Sequence, residues 1–302
     1  MTGSPPTGQG PQPEETQPGE TQPGETQPGE TWPTEPPLPS RRDFDTTVAH
    51  PARVWDYWLG GKDNFAADRA VAEQVLEVMP AMGPIARAGR AFLATAVHYL
   101  AATVGIRQFL DIGTGLPTAN NTHEVAQQAA PEARIVYVDN DPIVLTHARA
   151  LLTSDTEGTT AYIDADLRDT GKILAEARST LDFSQPVAVM LLAILHFIPD
   201  EEDPYGIVAR LMEPMAPGSY LVLSHASSDI EAGGLVAAVQ RYNKSSAVQA
   251  YMRSREEVTR LFDGLEIIEP GVVPLGLWQP GLPADGARKR GLPTYTAVAR
   301  KP

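Results

Sequence analysis

The clearest chemical signal in the chain is Asp111-Ile112-Gly113-Thr114-Gly115, which closes an apolar run. Glycines at a strand end let the backbone turn sharply and let a ligand approach it closely. A helix that follows offers its free N–H groups to a polar or anionic group. An ordinary strand-to-helix turn has the same residues, so the motif does not decide alone. Asp139 ends the next apolar run, Val136-Tyr137-Val138-Asp139. An acid at the tip of the neighbouring strand is where a ribose presents its hydroxyls. Asn140 lies beside it, and Asp141 before Pro142 reads as a helix cap. A third tip, Ile163-Asp164-Ala165-Asp166-Leu167, holds a carboxylate able to accept from an exocyclic amino group. Three consecutive strand tips, each with a suitable polar group, point to a ligand outside the carboxyl ends of a sheet.

A dinucleotide fits this pattern less well. Its fingerprint needs a third glycine for close helix–strand packing, and the sixth position counted from Gly113 is Thr118. His196, in Ala193-Ile194-Leu195-His196-Phe197, follows the fourth strand. A histidine of near-neutral pKa there is a candidate base for an oxygen or nitrogen nucleophile; a buried histidine satisfied by backbone is the competing reading. His123-Glu124 and His225 rank lower as polar site groups. No His-x-x-x-His or comparable cluster indicates a metal, and with no cysteine there is neither a thiolate site nor a disulfide framework.

These residues need a frame. Helical spacing predicts Pro51–Leu59, stopped by Gly60-Gly61, then Ala66–Met79 and Pro84 to about Thr103. Strands are predicted at 108–112, 135–139, 161–163, 187–192 and 220–224, with helices at 119–130, 142–152, 171–179 and 204–215 between them. Two of these helices open on Asp-Pro, at Asp141-Pro142 and Asp203-Pro204. Strand–helix alternation implies a mainly parallel α/β sheet covered on both faces. Leu265–Ile268 and Thr294–Arg300 read as closing strands around a long Gly/Pro-rich loop, Pro270–Pro293.

The first 40 residues stand apart. They hold 11 of the 28 prolines and no Lys or Arg, and Glu-Thr-Gln-Pro-Gly recurs at 15–19, 20–24 and 25–29. Such a segment has little apolar surface to offset its ordering entropy, so residues 1–42 are expected to be a disordered tail. One domain is expected over 43–302, its helical part at 43–104. The net charge of −14 argues against a nucleic-acid backbone as partner. The N-terminus lacks the pattern of a signal peptide. The longest apolar run, near Val187–Leu195, is too short to span a membrane. A cytoplasmic location is expected, and the oligomeric state is not legible.

Asp-x-Gly-x-Gly, then Val138-Asp139, then Asp166-Leu167 resembles the class I S-adenosylmethionine-dependent methyltransferases. The block Ala52-Arg53-Val54-Trp55-Asp56-Tyr57-Trp58-Leu59-Gly60-Gly61-Lys62-Asp63-Asn64, running on to Arg69, resembles more narrowly an actinobacterial S-adenosyl methyltransferase family of unknown substrate. Phe109–Gln127, Tyr137–Pro142, Leu192–Pro204 and Tyr295–Lys301 resemble it too. The resemblance implies a Rossmann-like, seven-stranded sheet with the last strand antiparallel. It implies Asp111, Gly113, Thr114 and Gly115 against the methionine part of S-adenosylmethionine. Asp139 with Asn140 is implied at the ribose, Asp166 at the adenine amino group and Leu167 along the ring, with Ala193 also in the cofactor site. The N-terminal block is expected to form a lid, in which Lys62 or Arg53, near Asn64, pairs with the cofactor carboxylate.

The function so implied is in-line methyl transfer to a small molecule or protein. The alternatives are a non-catalytic regulatory protein that binds the cofactor and a dinucleotide-dependent oxidoreductase. Trp278 in the long loop and the segment Ser227–Arg253 are expected to wall the acceptor site.

Overall fold

The computed structural model describes residues 1–3, 45–151, 158–230, 234–280 and 291–302, with backbone only at 148–151. The chain divides at Pro37/Leu38, and the unit Leu38–Pro302 holds every described helix and strand. The repeat tail expected over 1–42 lies, apart from its first three residues, outside the described residues.

Three helices come first: α1 (Pro51–Leu59), α2 (Ala66–Val78) and α3 (Met82–His98). Proline suits the first helical position of α1, and the His50 side chain caps it by accepting from the Ala52 N–H. Gly60 ends α1 in the left-handed region (φ 85°), with its N–H on the carbonyls of Asp56 and Tyr57; glycine takes that conformation without a Cβ penalty. The predicted helix to Thr103 is α3 followed by a π turn at Tyr99–Val104.

Strands and helices then alternate: β1 (Gln108–Ile112), α4 (Thr122–Ala129), β2 (Arg134–Asp139), α5 (Pro142–Leu151), β3 (Thr159–Asp164), α6 (Thr170–Ala177), β4 (Ala188–Leu192), α7 (Pro204–Met212) and β5 (Tyr220–Ala226). Both Asp-Pro starts cap as expected: Asp141 Oδ1 accepts from the Ile143 N–H and Asp203 Oδ1 from the Gly206 N–H, each at 2.9 Å. The chain closes with α8 (Leu235–Ser245), α9 (Arg255–Arg260), β6 (Glu266–Ile267), β7 (Val273–Leu275) and β8 (Leu292–Arg300).

The sheet runs β3-β2-β1-β4-β5-β8-β6, with β7 also paired to β8. The first five strands are mutually parallel, and β8 lies antiparallel to β5, β6 and β7. The expected seven-strand path is present, with the last strand antiparallel; β7 is an eighth, inside the segment predicted as loop. Three residues centred on Pro274 give no alternation to read, and proline demotes a strand. Alternation inside the other strands builds two cores. Phe109, Ile135, Tyr137 and Met190 face α2, α3, α4 and α8, while Leu110, Val136, Val138 and Leu191 face α6, α7 and α9. Burial on both faces is what a parallel sheet requires. Strand order reverses between β1 and β4, which opens a crevice at their carboxyl ends.

Candidate cofactor site

A cavity of about 480 Å³ occupies that crevice. The glycine turn, the β2 and β3 tips and the β4–β5 side all open on it. Gly113 and Gly115 take φ of 74° and 67°, and the N–H groups of Gly113 and Thr114 donate to the Val138 carbonyl at 2.8 and 3.3 Å. A Cβ on Gly113 would come within 2.7–2.9 Å of the Ile194 side chain, so no side chain fits at the crossing of these two loops.

Asp139 joins two of the loops. Its Oδ2 accepts from the Gly115 N–H at 2.9 Å and its Oδ1 from the Asp141 N–H at 3.0 Å. Burial raises its pKa, opposed by those two amides. Asp111 accepts from the Thr122 hydroxyl at 2.6 Å, and burial pushes its carboxyl up to about 6 against the pull of Thr122 and Arg90. Asp166 sits in an ionic cluster: the Asn140 amide donates to it at 3.0 Å and Arg168 at 3.1 and 3.2 Å, while Arg168 also pairs with Glu202. Burial raises the Asp166 pKa, but Arg168 outweighs it and the net direction is down. Leu167, Asn140 and Ala193 line the same cavity. Ala193 holds a left-handed φ of 52°, fixed by its N–H on the Ser224 side chain and carbonyl. Such strain in a non-glycine residue costs on the order of 1–2 kcal/mol and collects at functional sites.

Arg53, Lys62 and Asn64 are not brought to the cavity. Arg53 is buried, its Nε 3.2 Å from Asp141 and 3.7 Å from Asp68, its Nη2 donating to the Val48 carbonyl. Asn64 donates to Asp56 at 2.8 Å, which locks the turn after α1, and Lys62 is exposed in that turn. Trp55 and Trp58, packed edge to face at 5.9 Å, line the cavity instead. The polar stripe of α1 thus fastens the helix to α2 and the β2 tip, and its tryptophans face the ligand side. Trp278 is likewise no wall: it is buried against Phe92 and Tyr99. Among the described residues, the predicted wall 227–253 does contribute, through α8 and residues 247–251.

His196 lines the cavity, with its Nδ1 buried and unpartnered. Burial, then His225 and Arg253, push its pKa down to about 3. This corrects the expectation of a near-neutral base: the ring is a neutral hydrogen-bond acceptor and a weak base. His225 is sealed. Its Nδ1 lies 2.8 Å from the Ala226 carbonyl, which fixes a proton there, and its Nε2 accepts from Arg253 at 2.7 Å. Burial depresses it to about 4. His123 is held by Tyr137 behind the sheet. Both depressed histidines bind protons in the unfolded chain before the folded one, so they contribute stability above pH 6.5 that is lost on acidification. Asp111, raised, acts in the opposite direction between its two pKa values. His196→Gln therefore loses less thermal stability than the parent chain between pH 6.5 and 4. Parallel Tm curves for the two chains would exclude a depressed pKa at His196.

Arg90 was not foreseen. It sits on α3 at the cavity edge, Nη2 donating to the carbonyls of Ala119 and Asn120 at 3.2 and 2.8 Å, with Nε buried and unpartnered. Its one trace in the sequence was an arginine in a mostly apolar helix before the glycine turn. His50 was missed too; it bonds Asp141 at 3.0 Å. Among the described residues no group of His, Cys, Asp and Glu could hold a metal, and no helix is long and apolar enough to cross a membrane.

This sheet order, with a glycine turn and acidic strand tips around one crevice, defines a Rossmann-like α/β protein with a ligand site at its switch point. Residues 38–302 match the family model described as S-adenosyl methyltransferase, and the chain belongs to that family. It is similar to a DUF574 family protein from Streptomyces avermitilis MA-4680, with 46% identity over 85% of this chain and 99% of the other, TM-score 0.80. It is also similar to a protein from Thermobifida fusca YX taken to be a methyltransferase, with 38% identity over 88% and 99% of the two chains, TM-score 0.78. No curated protein matches. The protein is an S-adenosylmethionine-dependent methyltransferase, and its acceptor is unspecified.

Proposed function

We propose that the ribose of S-adenosylmethionine rests on Asp139, its adenine on Asp166 and Leu167, and its methionine end on Gly113–Gly115 with the carboxylate at Arg90. One observation carries this: all these groups open on a single cavity, and the one guanidinium at its methionine end has a buried, unpartnered Nε. The residues fit the cofactor. Each Asp139 oxygen spends one bond on an amide, and a carboxylate oxygen has two acceptor sites, so both keep capacity for ribose hydroxyls. An arginine fork suits a carboxylate.

Bound S-adenosylmethionine supplies a sulfonium methyl group for in-line displacement. The chain holds the nucleophile in line with it, which is rate enhancement by proximity. α1 roofs the site with Trp55 and Trp58. His196, its pKa pushed down by burial and by His225 and Arg253, orients an acceptor proton and does not store it.

Arg90→Met tests the carboxylate assignment. S-adenosylhomocysteine affinity is expected to fall roughly 10- to 100-fold, the loss of a charged hydrogen bond, while 5′-methylthioadenosine, which lacks the amino-acid end, binds as before. Calorimetric titration of both ligands reads this. Equal losses, or none, would assign the carboxylate elsewhere.

A further inference from the structure

The cavity has two chemically different halves. All its charged wall residues, Arg90, Asp111, Asp139, Asp166, Arg168 and Glu202, belong to the glycine turn, the β2–β3 tips, α3 and the β4–α7 turn beside Arg168. Beyond the β4 and β5 ends the wall is Val75, Met82, Leu235, Ala238, Val239 and Ala247–Tyr251, with the rings of Phe197 and Tyr242 6.2 Å apart. No charged side chain from α8 or 247–251 faces it. A charge buried there without a partner would cost several kcal/mol. One polar atom on this wall, His196 Nδ1, is buried and makes no hydrogen bond; the Tyr242 hydroxyl has the Ser246 side chain beside it. Buried polar atoms are nearly always satisfied, so an unpartnered ring nitrogen beside an apolar chamber marks where a ligand's polar group goes.

We propose that the methyl acceptor is an uncharged, ring-bearing small molecule, seated against Met82, Phe197, Val239 and Tyr242, whose reacting hydroxyl or N–H donates to His196. In the transfer the acceptor oxygen or nitrogen bonds the methyl carbon, the carbon–sulfur bond breaks with its electron pair going to sulfur, and the acceptor proton leaves to water. This assignment rests on the cofactor placement above, because the apolar chamber serves as acceptor site only if the cofactor takes the polar half.

The test uses the full chain saturated with S-adenosylhomocysteine, whose binding is measured first. Three matched probes are then titrated: 2-naphthol, 2-naphthoate and 2-naphthylmethylammonium. 2-Naphthol is expected to bind at least tenfold more tightly than either charged probe. His196→Phe should bring its affinity down about fivefold or more, the scale of one buried hydrogen bond, to that of naphthalene, and His196→Gln should keep it. Val239→Glu should abolish 2-naphthol binding and leave S-adenosylhomocysteine untouched. Charged probes binding as well as the neutral one, or none binding to a chain that holds S-adenosylhomocysteine, overturn the acceptor class and leave the cofactor placement standing. Methyl transfer to a lysine or arginine peptide in place of ring compounds also overturns it. Failure of S-adenosylhomocysteine itself to bind removes both.

Discussion

Arg253→Met is expected to lower the free energy of unfolding by about 2–6 kcal/mol, the cost of two buried acceptors left unmet at roughly 1–3 kcal/mol each. Arg253 is 2% exposed. Its Nη1 donates to the Leu195 carbonyl at 3.1 Å and to His225 Nε2 at 2.7 Å, and its Nη2 to the Ile198 carbonyl at 2.8 Å and Asp200 at 2.7 Å. The Asp200 side chain is 66% exposed, so water replaces that bond at little cost. The Leu195 carbonyl keeps the Ile198 N–H at 3.1 Å, but the Ile198 carbonyl and His225 Nε2 have no such recourse, and each is left as a buried acceptor unmet. Methionine fills much of the volume, so the loss reports hydrogen bonds more than a void. Urea denaturation measures it; a change below about 1 kcal/mol would show that these acceptors find other donors. The same arginine clips the turn that carries His196 and Phe197 to the end of β5, so acceptor binding is expected to weaken in the variant more than cofactor binding. Arg253→Lys, with one ammonium in place of a planar fork, should recover only part of the stability.

Arg253 also shows where the sequence stops being legible. The strand–helix alternation, the glycine turn and the acids at three strand tips follow from local pattern: apolar runs, Gly spacing, Asp-Pro starts. Each is set by neighbours within a few residues, and each is where the pattern puts it. The direction in which a side chain leaves its helix is not local. Arg53 and Lys62 stand in a charged block beside two tryptophans, and the expected lid gives the charges to the ligand. The fold does the reverse, because Asp141 and Asp68, far along the chain, claim Arg53. Arg90 and Arg253 escaped notice for the same reason: their partners lie about 30 and more than 50 residues away. The pKa of His196 is equally remote from its own segment, since His225 and Arg253 set it together with burial.

Asp139→Ala is expected to weaken S-adenosylhomocysteine binding by roughly 10- to 150-fold, corresponding to about 1.5–3 kcal/mol for a charged hydrogen-bond partner. Two effects add. The ribose loses its acceptor, and the amides of Gly115 and Asp141 lose the carboxylate that holds the glycine turn against the β2 tip. Global stability should fall modestly: Gly115 borders the cavity, where water can reach its amide, the amide of buried Asp141 loses its partner, and removing a buried carboxylate offsets part of what is lost. Asp139→Asn keeps the shape but turns an N–H₂ toward one of two backbone donors, so it should fall between the parent and the alanine variant. The discriminating ligand is 5′-methylthioadenosine. It retains the ribose and lacks the amino-acid end, so it should suffer in Asp139→Ala as much as S-adenosylhomocysteine does, whereas Arg90→Met should spare it. If Asp139→Ala binds both ligands like the parent, the ribose is not at the β2 tip. If it loses only S-adenosylhomocysteine, Asp139 acts through the glycine turn on the methionine end and not on the sugar.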